Sequence, residues 1–213
     1  METAHPYVPA TLELPGYVAP EHSALTLCLA MGAAVSMVAG AAYAVLRQRV
    51  RGSELAAGVW FAVSGSMHST FELYYVVYAR TLAGRRDMVS SLWKEYAKSD
   101  SRYVAGAATV RAQEAATVAI VGPLCWLALW GMWTRRGWAR DLGQLAASVL
   151  HIQGVLLYYG AELVGEAGCR PEAQYFYGYF VAANAAWLVV PLGLAASSMA
   201  RMAAQMKHSP GRA

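Results

Sequence analysis

Two side chains in the stretch GSMHSTFELYYVVY, residues 65–78, are out of keeping with their apolar surroundings: His68 and Glu72. Four residues apart, they share one face of a helix and come within reach of each other. An imidazole and a carboxyl so paired can hold, pass or receive a proton, and burial tunes both. Other apolar stretches carry similar intruders: Glu114, His151, the chain's single asparagine Asn184, and Trp187 one turn after it. A charge at the centre of a lipid-embedded helix costs at least about 2.5–3.5 kcal/mol, so such residues face the protein interior and find partners. Taken singly, each has a plain structural explanation. His68–Glu72 could staple helices together, Arg111 could neutralise Glu114 from one turn away, and Asn184 could bridge two helices. Trp187 could fill volume, and His151 could be a hydrogen-bonded core histidine.

The elements that must position these residues follow from composition and hydropathy. Of 213 residues, 57% are hydrophobic and 14% charged, against about 25% charged in soluble domains. Segments at roughly 24–46, 54–79, 109–133, 141–164 and 175–199 approach or exceed the ~20 residues a helix needs to cross a bilayer. Lipid cannot satisfy exposed backbone groups, and the alternation of a barrel strand is missing, so these spans are helices. The expected fold is an all-α membrane protein, a single domain over 1–213 built as a bundle of five transmembrane helices. Residues 200–213 form its tail, of which KHSPGRA is expected to be disordered. The connection 80–108 contains SSLWKEYAKSDSRY, where Leu92, Trp93 and Tyr96 recur at helical spacing while Lys94, Glu95 and Lys98 point elsewhere. That pattern predicts an amphipathic interfacial helix between spans 2 and 3.

The net charge of +4 does not imply nucleic acid. Fourteen of the seventeen basic residues are arginine, gathered between apolar runs rather than on one face. The short connections RQRVRGS (47–53) and TRRGWAR (134–140) carry three arginines each, which assigns them and the C-terminus to the cytoplasmic side. The cysteines Cys28, Cys125 and Cys169 have neither disulfide nor metal-ligand spacing. The histidines and glutamates lack an HExxH pattern, and neither a phosphate loop nor a GxSxG is present, so no metal and no cofactor is expected. The first twenty residues hold several prolines and no basic region, so the first span is expected to serve as an uncleaved insertion signal.

Depth decides whether the polar residues can cooperate. At about 1.5 Å per residue from the N-terminal side, Glu114 lies ~9 Å in, Glu72 ~12 Å, Asn184 ~15 Å, and His68, Trp187 and His151 ~18–20 Å. Four spans thus bring polar groups to overlapping depth, with the first span as scaffold. A desolvated carboxylic acid can donate a proton, a second group can remove one, and an indole face stabilises a cation without trapping it. This set suits acid–base chemistry on a lipid-soluble substrate. A proton-coupled transporter is the alternative from another class, weakened by the lack of repeated or discontinuous helices.

Several stretches together resemble the emopamil-binding protein family, the 3β-hydroxysteroid Δ8–Δ7 isomerases of the EXPERA group. They are HPYVP (5–9), His68-x-x-x-Glu72, LWKEYAKSDSRY (92–103), Glu114 and Thr117 ahead of GP (122–123), and ANAAW (183–187). HPYVPATLELPGYVAP (5–20) is similar to green-plant members in particular. The resemblance implies a multi-pass, often dimeric, endoplasmic-reticulum protein that moves a sterol double bond from position 8(9) to 7(8) without a cofactor. A proton joins carbon 9, a cation forms at carbon 8, and a proton leaves carbon 7. It assigns catalysis to His68, Glu72, Glu114, Asn184 and Trp187, with Thr117, Tyr103, His151 and Tyr158 against the sterol. It also implies that cationic amphiphilic drugs are ligands. The alternative within this resemblance is a non-catalytic binder of sterols or such amphiphiles. One departure bears on sterol preference and activity: HIQG (151–154) stands where the family shows Gln-(Ile/Leu)-Tyr-Gly.

Overall fold

The structure, a computed structural model, describes residues 5–165 and 168–207. The expected disorder of the tail beyond Lys207 falls outside the described residues. Helix dominates, and no strand forms among the described residues beyond an isolated bridge between Asp100 and Cys169. Each apolar segment found in the sequence is helical. The first is α1 (Ala24–Leu46), started by Ser23, whose side chain accepts a hydrogen bond from the Thr26 N–H. The second runs through α2 (Gly52–Met67), a π turn (His68–Glu72) and α3 (Leu73–Tyr78). After α4 (Met88–Tyr96) and α5 (Arg102–Ala105), the third comprises α6 (Ala108–Ala116), a π turn (Thr117–Val121) and α7 (Gly122–Trp133). The fourth is α8 (Gly137–Leu163); the fifth is a π segment (Gln174–Ala182) continuing as α9 (Ala183–Lys207). The last helix therefore continues past the expected end at 199. The residues there, SMARMAAQMK, are good helix formers with no breaker among them.

Among the described residues, three helices are long and apolar enough to cross a membrane: Ala24–Leu46, Ala108–Trp133 and Gln174–Lys207. The second and fourth runs carry more polar residues, and much of that polarity is turned inward, at Ser64, His68, Asp141, Gln144, Ser148 and His151.

Close helix approach depends on small residues. A side chain on Gly143 would place its first carbon 2.6 Å from the Ala128 backbone nitrogen, so α7 and α8 meet backbone to backbone there. At one end of the bundle the two short basic turns touch, an Arg135 guanidinium donating to the Arg49 carbonyl. Glu54 pairs with Arg140 at 3.2 Å, and Arg201 with Asp141 at 2.7 Å.

The opposite end is closed by the 80–108 connection and the N-terminal segment. The expected amphipathic helix is present as α4, but its polar face is covered. Lys94 is only 1% exposed, and its ammonium donates to the Val18 and Arg85 carbonyls at 2.7 and 2.6 Å. Burial lowers its pKa, and those carbonyls offset the lost water. Residues 5–18 form this cover, burying Tyr7, Leu14 and Tyr17 against the aromatic cluster of Tyr75, Trp93 and Tyr103. A period of 3.6 shows which face is polar, and gives no sign that distant chain will lie across it.

Beneath the cover lies a buried ion pair. Asp100 is fully buried, accepts from Arg102 Nη2 at 2.7 Å and Nε at 2.9 Å, and accepts from the Tyr158 hydroxyl at 2.7 Å. The bridge to Cys169, with Ser101 N–H donating to the Gly168 carbonyl at 2.9 Å, ties this loop to the one preceding the last helical run. Removing one partner of a buried pair strands the other, at about 3–5 kcal/mol. Asp100→Ala is therefore expected to lower the thermal midpoint of the detergent-solubilised protein by many degrees. An unchanged midpoint would show that the pair contributes nothing to stability.

Candidate functional site

A cavity of about 850 Å³ opens between α1, α2, α4, α8 and α9. All nine residues singled out in the sequence line it: His68, Glu72, Tyr103, Glu114, Thr117, His151, Tyr158, Asn184 and Trp187. The scaffold helix α1 supplies an apolar wall through Leu27, Met31 and Val35.

Three departures from regular α-helix position the polar groups. His68–Glu72 is itself a π turn; Thr117–Val121 is a second, three residues past Glu114; Gln174–Ala182 is the third, ending just before Asn184. An i→i+5 bond inserts an extra residue and re-aims the side chains around it, which is why such turns gather at functional sites. In the third run the cause is legible. Pro123 has no N–H, so the ladder opens before it, and Gly122 N–H reaches back to Thr117 O. Gly122 also lets the two π turns meet, since a first side-chain carbon there would stand 3.3 Å from the His68 Cβ.

His68, 2% exposed, is held from both sides. Its Nδ1 lies 2.8 Å from each carboxylate oxygen of Glu72, and its Nε2 lies 2.9 Å from His151 Nε2. With Glu72 as a carboxylate, His68 donates through Nδ1 and accepts from His151 at Nε2. His151 Nδ1 is then left without a partner. The neutral partner expected for a core histidine is thus His68 itself.

Glu114 does not rely on Arg111. It accepts from the Tyr103 hydroxyl at 2.7 Å and lines the same cavity as Glu72. Burial, then the adjacent Glu114, hold the Tyr103 phenol well above its ordinary range, so it remains a donor. Asn184 donates to the Tyr96 hydroxyl at 2.9 Å and the Phe180 carbonyl at 2.8 Å. Tyr96 continues to Tyr158 at 3.2 Å, and Tyr158 to Asp100. Asn184 is therefore fixed through two tyrosines to the buried ion pair. Thr117 spends its hydroxyl on the Gln113 carbonyl at 2.9 Å, which turns its methyl to wall duty. Trp187 packs on Trp60, ring centres 5.5 Å apart.

Tyr96 and Trp60 line the same cavity and were not singled out. Tyr96 was visible as part of the α4 apolar stripe, and its hydroxyl could have been noted as needing a partner. Trp60 carried no comparable signal.

Two carboxyls, two imidazoles and an indole thus line one largely apolar chamber. The profile of the EBP family, EXPERA (EXPanded EBP superfamily), matches residues 88–198. A probable 3-beta-hydroxysteroid-Delta(8),Delta(7)-isomerase of Arabidopsis thaliana is 31% identical over 199 residues, covering 89% of this chain and 85% of the relative. A probable isomerase of the same name from Oryza sativa subsp. japonica is 27% identical over 208 residues, covering 94% and 93%. The 3-beta-hydroxysteroid-Delta(8),Delta(7)-isomerase of Cavia porcellus is 37% identical over 139 residues, covering 62% and 58%. The chain belongs to the EXPERA family.

The His68–Glu72 contact predicts coupled behaviour. His68→Ala and Glu72→Gln are each expected to lower turnover strongly, while the double variant loses far less than the product of the two losses. Single-turnover rates of the four proteins decide it, and multiplicative losses would mean two independent groups.

Proposed function

We propose that the protein is a sterol isomerase that moves a ring double bond from position 8(9) to 7(8) through a cation at carbon 8. The observation that carries this reading is the Glu114–Glu72–His68 array at the wall of a chamber large enough for a sterol. Two carboxyls desolvated on one cavity wall repel each other when both are ionised, so one of them is best held protonated. Glu72 accepts from His68, so we place the proton on Glu114, which Tyr103 also contacts. Glu114 delivers it to carbon 9. The carboxylate–imidazole set then takes a proton from carbon 7, restoring the starting inventory. The isomerisation has no net redox change, so the chemistry asks for no cofactor. The Trp187 face meets the cation at a distance no nucleophile could be allowed, and Asn184 holds the substrate's position beside it. Thr117, Tyr103, His151 and Tyr158 shape the chamber.

This reading places all five helical runs across the membrane of the endoplasmic reticulum, with α4 at the interface. The support is the length of α8 and of the second run, the inward turn of their polar side chains, and the exposed apolar residues Leu25, Leu29, Leu156, Leu157 and Leu192. A homodimer is compatible with those surfaces, and the short basic turns suit the cytoplasmic side.

Two outcomes are expected. Purified protein turning over a Δ8 sterol in heavy water should yield Δ7 product with deuterium at carbon 9, because Glu114 and His68 exchange between turnovers. Product free of solvent deuterium would replace this mechanism with direct intramolecular transfer, and no Δ7 product at all would remove the enzyme reading in favour of a binder.

The second concerns cationic amphiphiles, which imitate the cation. A desolvated indole–cation contact is worth about 2 kcal/mol. Trp187→Leu should therefore weaken a tertiary amine by about 1–2 kcal/mol, ten-fold or somewhat more, and an uncharged sterol by less. Equal losses for the two ligands would reduce Trp187 to a space-filler.

A further inference from the structure

Cys125, on α7, is fully buried. Its sulfur and one ring nitrogen each from His68 and His151 all lie within 4.8 Å of one another. We propose that these three side chains bind a thiophilic d10 cation, zinc(II) in the first instance, and that its occupation shuts off the isomerase by claiming His68. The inhibitory half rests on the isomerase reading; the binding half does not.

Two imidazoles and a thiolate form a donor set that zinc accepts readily. Zinc bonds of about 2.0–2.1 Å to nitrogen and 2.3 Å to sulfur put tetrahedral donors roughly 3.3–3.6 Å apart. The histidine nitrogens start 2.9 Å apart and the sulfur within 4.8 Å, so side-chain adjustments on the order of 1 Å close the site.

Two further observations point the same way. A metal-binding imidazole characteristically gives its other ring N–H to a carboxylate, which orients the ring and raises its basicity. His68 already has this partner in Glu72, at 2.8 Å. Charge also balances. Binding releases one proton, from the Cys125 sulfur to solvent, and the resulting thiolate with the Glu72 carboxylate neutralises a dication. The ion reaches the site through the cavity, which both histidines line, and a water on the cavity side completes the tetrahedron. The ligands come from three separate helical runs, so their sequence spacing is silent about the site.

The test uses the full-length protein, reduced and chelator-washed in detergent. Cobalt(II), a spectroscopic stand-in for zinc, should give a thiolate-to-cobalt charge-transfer band with the parent protein and none with Cys125→Ala or Cys125→Ser. Elemental analysis after zinc loading should give one zinc per chain. Zinc should inhibit turnover of a Δ8 sterol, with reversal by chelator. Cys125→Ala, outside the acid–base set, should keep metal-free turnover while raising the inhibitory zinc concentration at least about ten-fold. A parent protein without the cobalt band, or equal inhibition of parent and Cys125→Ala, overturns the proposal. One zinc per chain with the band present, in a protein that isomerises no sterol with or without zinc, upholds the binding site and overturns the inhibition together with the isomerase reading.

Discussion

A carboxylate inside an apolar helix bundle must be met by donors, and Glu72 is met by His68. Much of the site's geometry descends from that contact. With Glu72 as a carboxylate, it puts the hydrogen of His68 on Nδ1 and leaves Nε2 to His151 on α8. Glu114, which Tyr103 supports from α5, lines the same cavity. The second helical run is thereby registered against the fourth, and the connecting loop against the third, through hydrogen bonds whose loss would leave charge or polarity stranded. Packing in lipid lacks the hydrophobic drive that orders a soluble core, so polar contacts of this kind carry more of the task of choosing helix rotation.

The π turns are the means by which an ordinary bundle accommodates this array. Regular α-helices would carry the same residues at the same depth without aiming them at one chamber. Each π turn adjoins a residue that lines the cavity, and Gly122 is the small residue that lets two of them touch. Local helix irregularity and site composition are thus one feature. Asn184 illustrates the longer reach of the same design. Its amide is oriented by Tyr96, then Tyr158, then Asp100, so a residue of the cavity wall is steadied by an ion pair outside the helical bundle proper.

The helical runs and the convergence of their polar residues on one cavity were legible because helix rise is constant and apolar length is easily measured. The boundaries failed chiefly at the last helix, where hydropathy falls while helix propensity does not. Three things were hidden for a shared reason: contacts between distant segments depend on helix rotation and loop path, which periodicity within one segment does not encode. They are the His68–His151 contact, the approach of Cys125 to it, and the burial of Lys94 beneath residues 5–18. The π turns were partly readable, through Gly122 and Pro123 in the third run, and unreadable at His68, where no breaker marks the spot.

The chamber's walls are spread along the chain, and this has a consequence for the order in which they are made. Synthesis delivers His68 and Glu72 first, then Tyr103 and Glu114, then His151, and only afterwards Asn184 and Trp187. The acidic pair and its donors can meet early, since they need nothing beyond the third helical run. The indole wall arrives with α9, so until then the cavity stands open on one side, its carboxyls and imidazoles already in the chain.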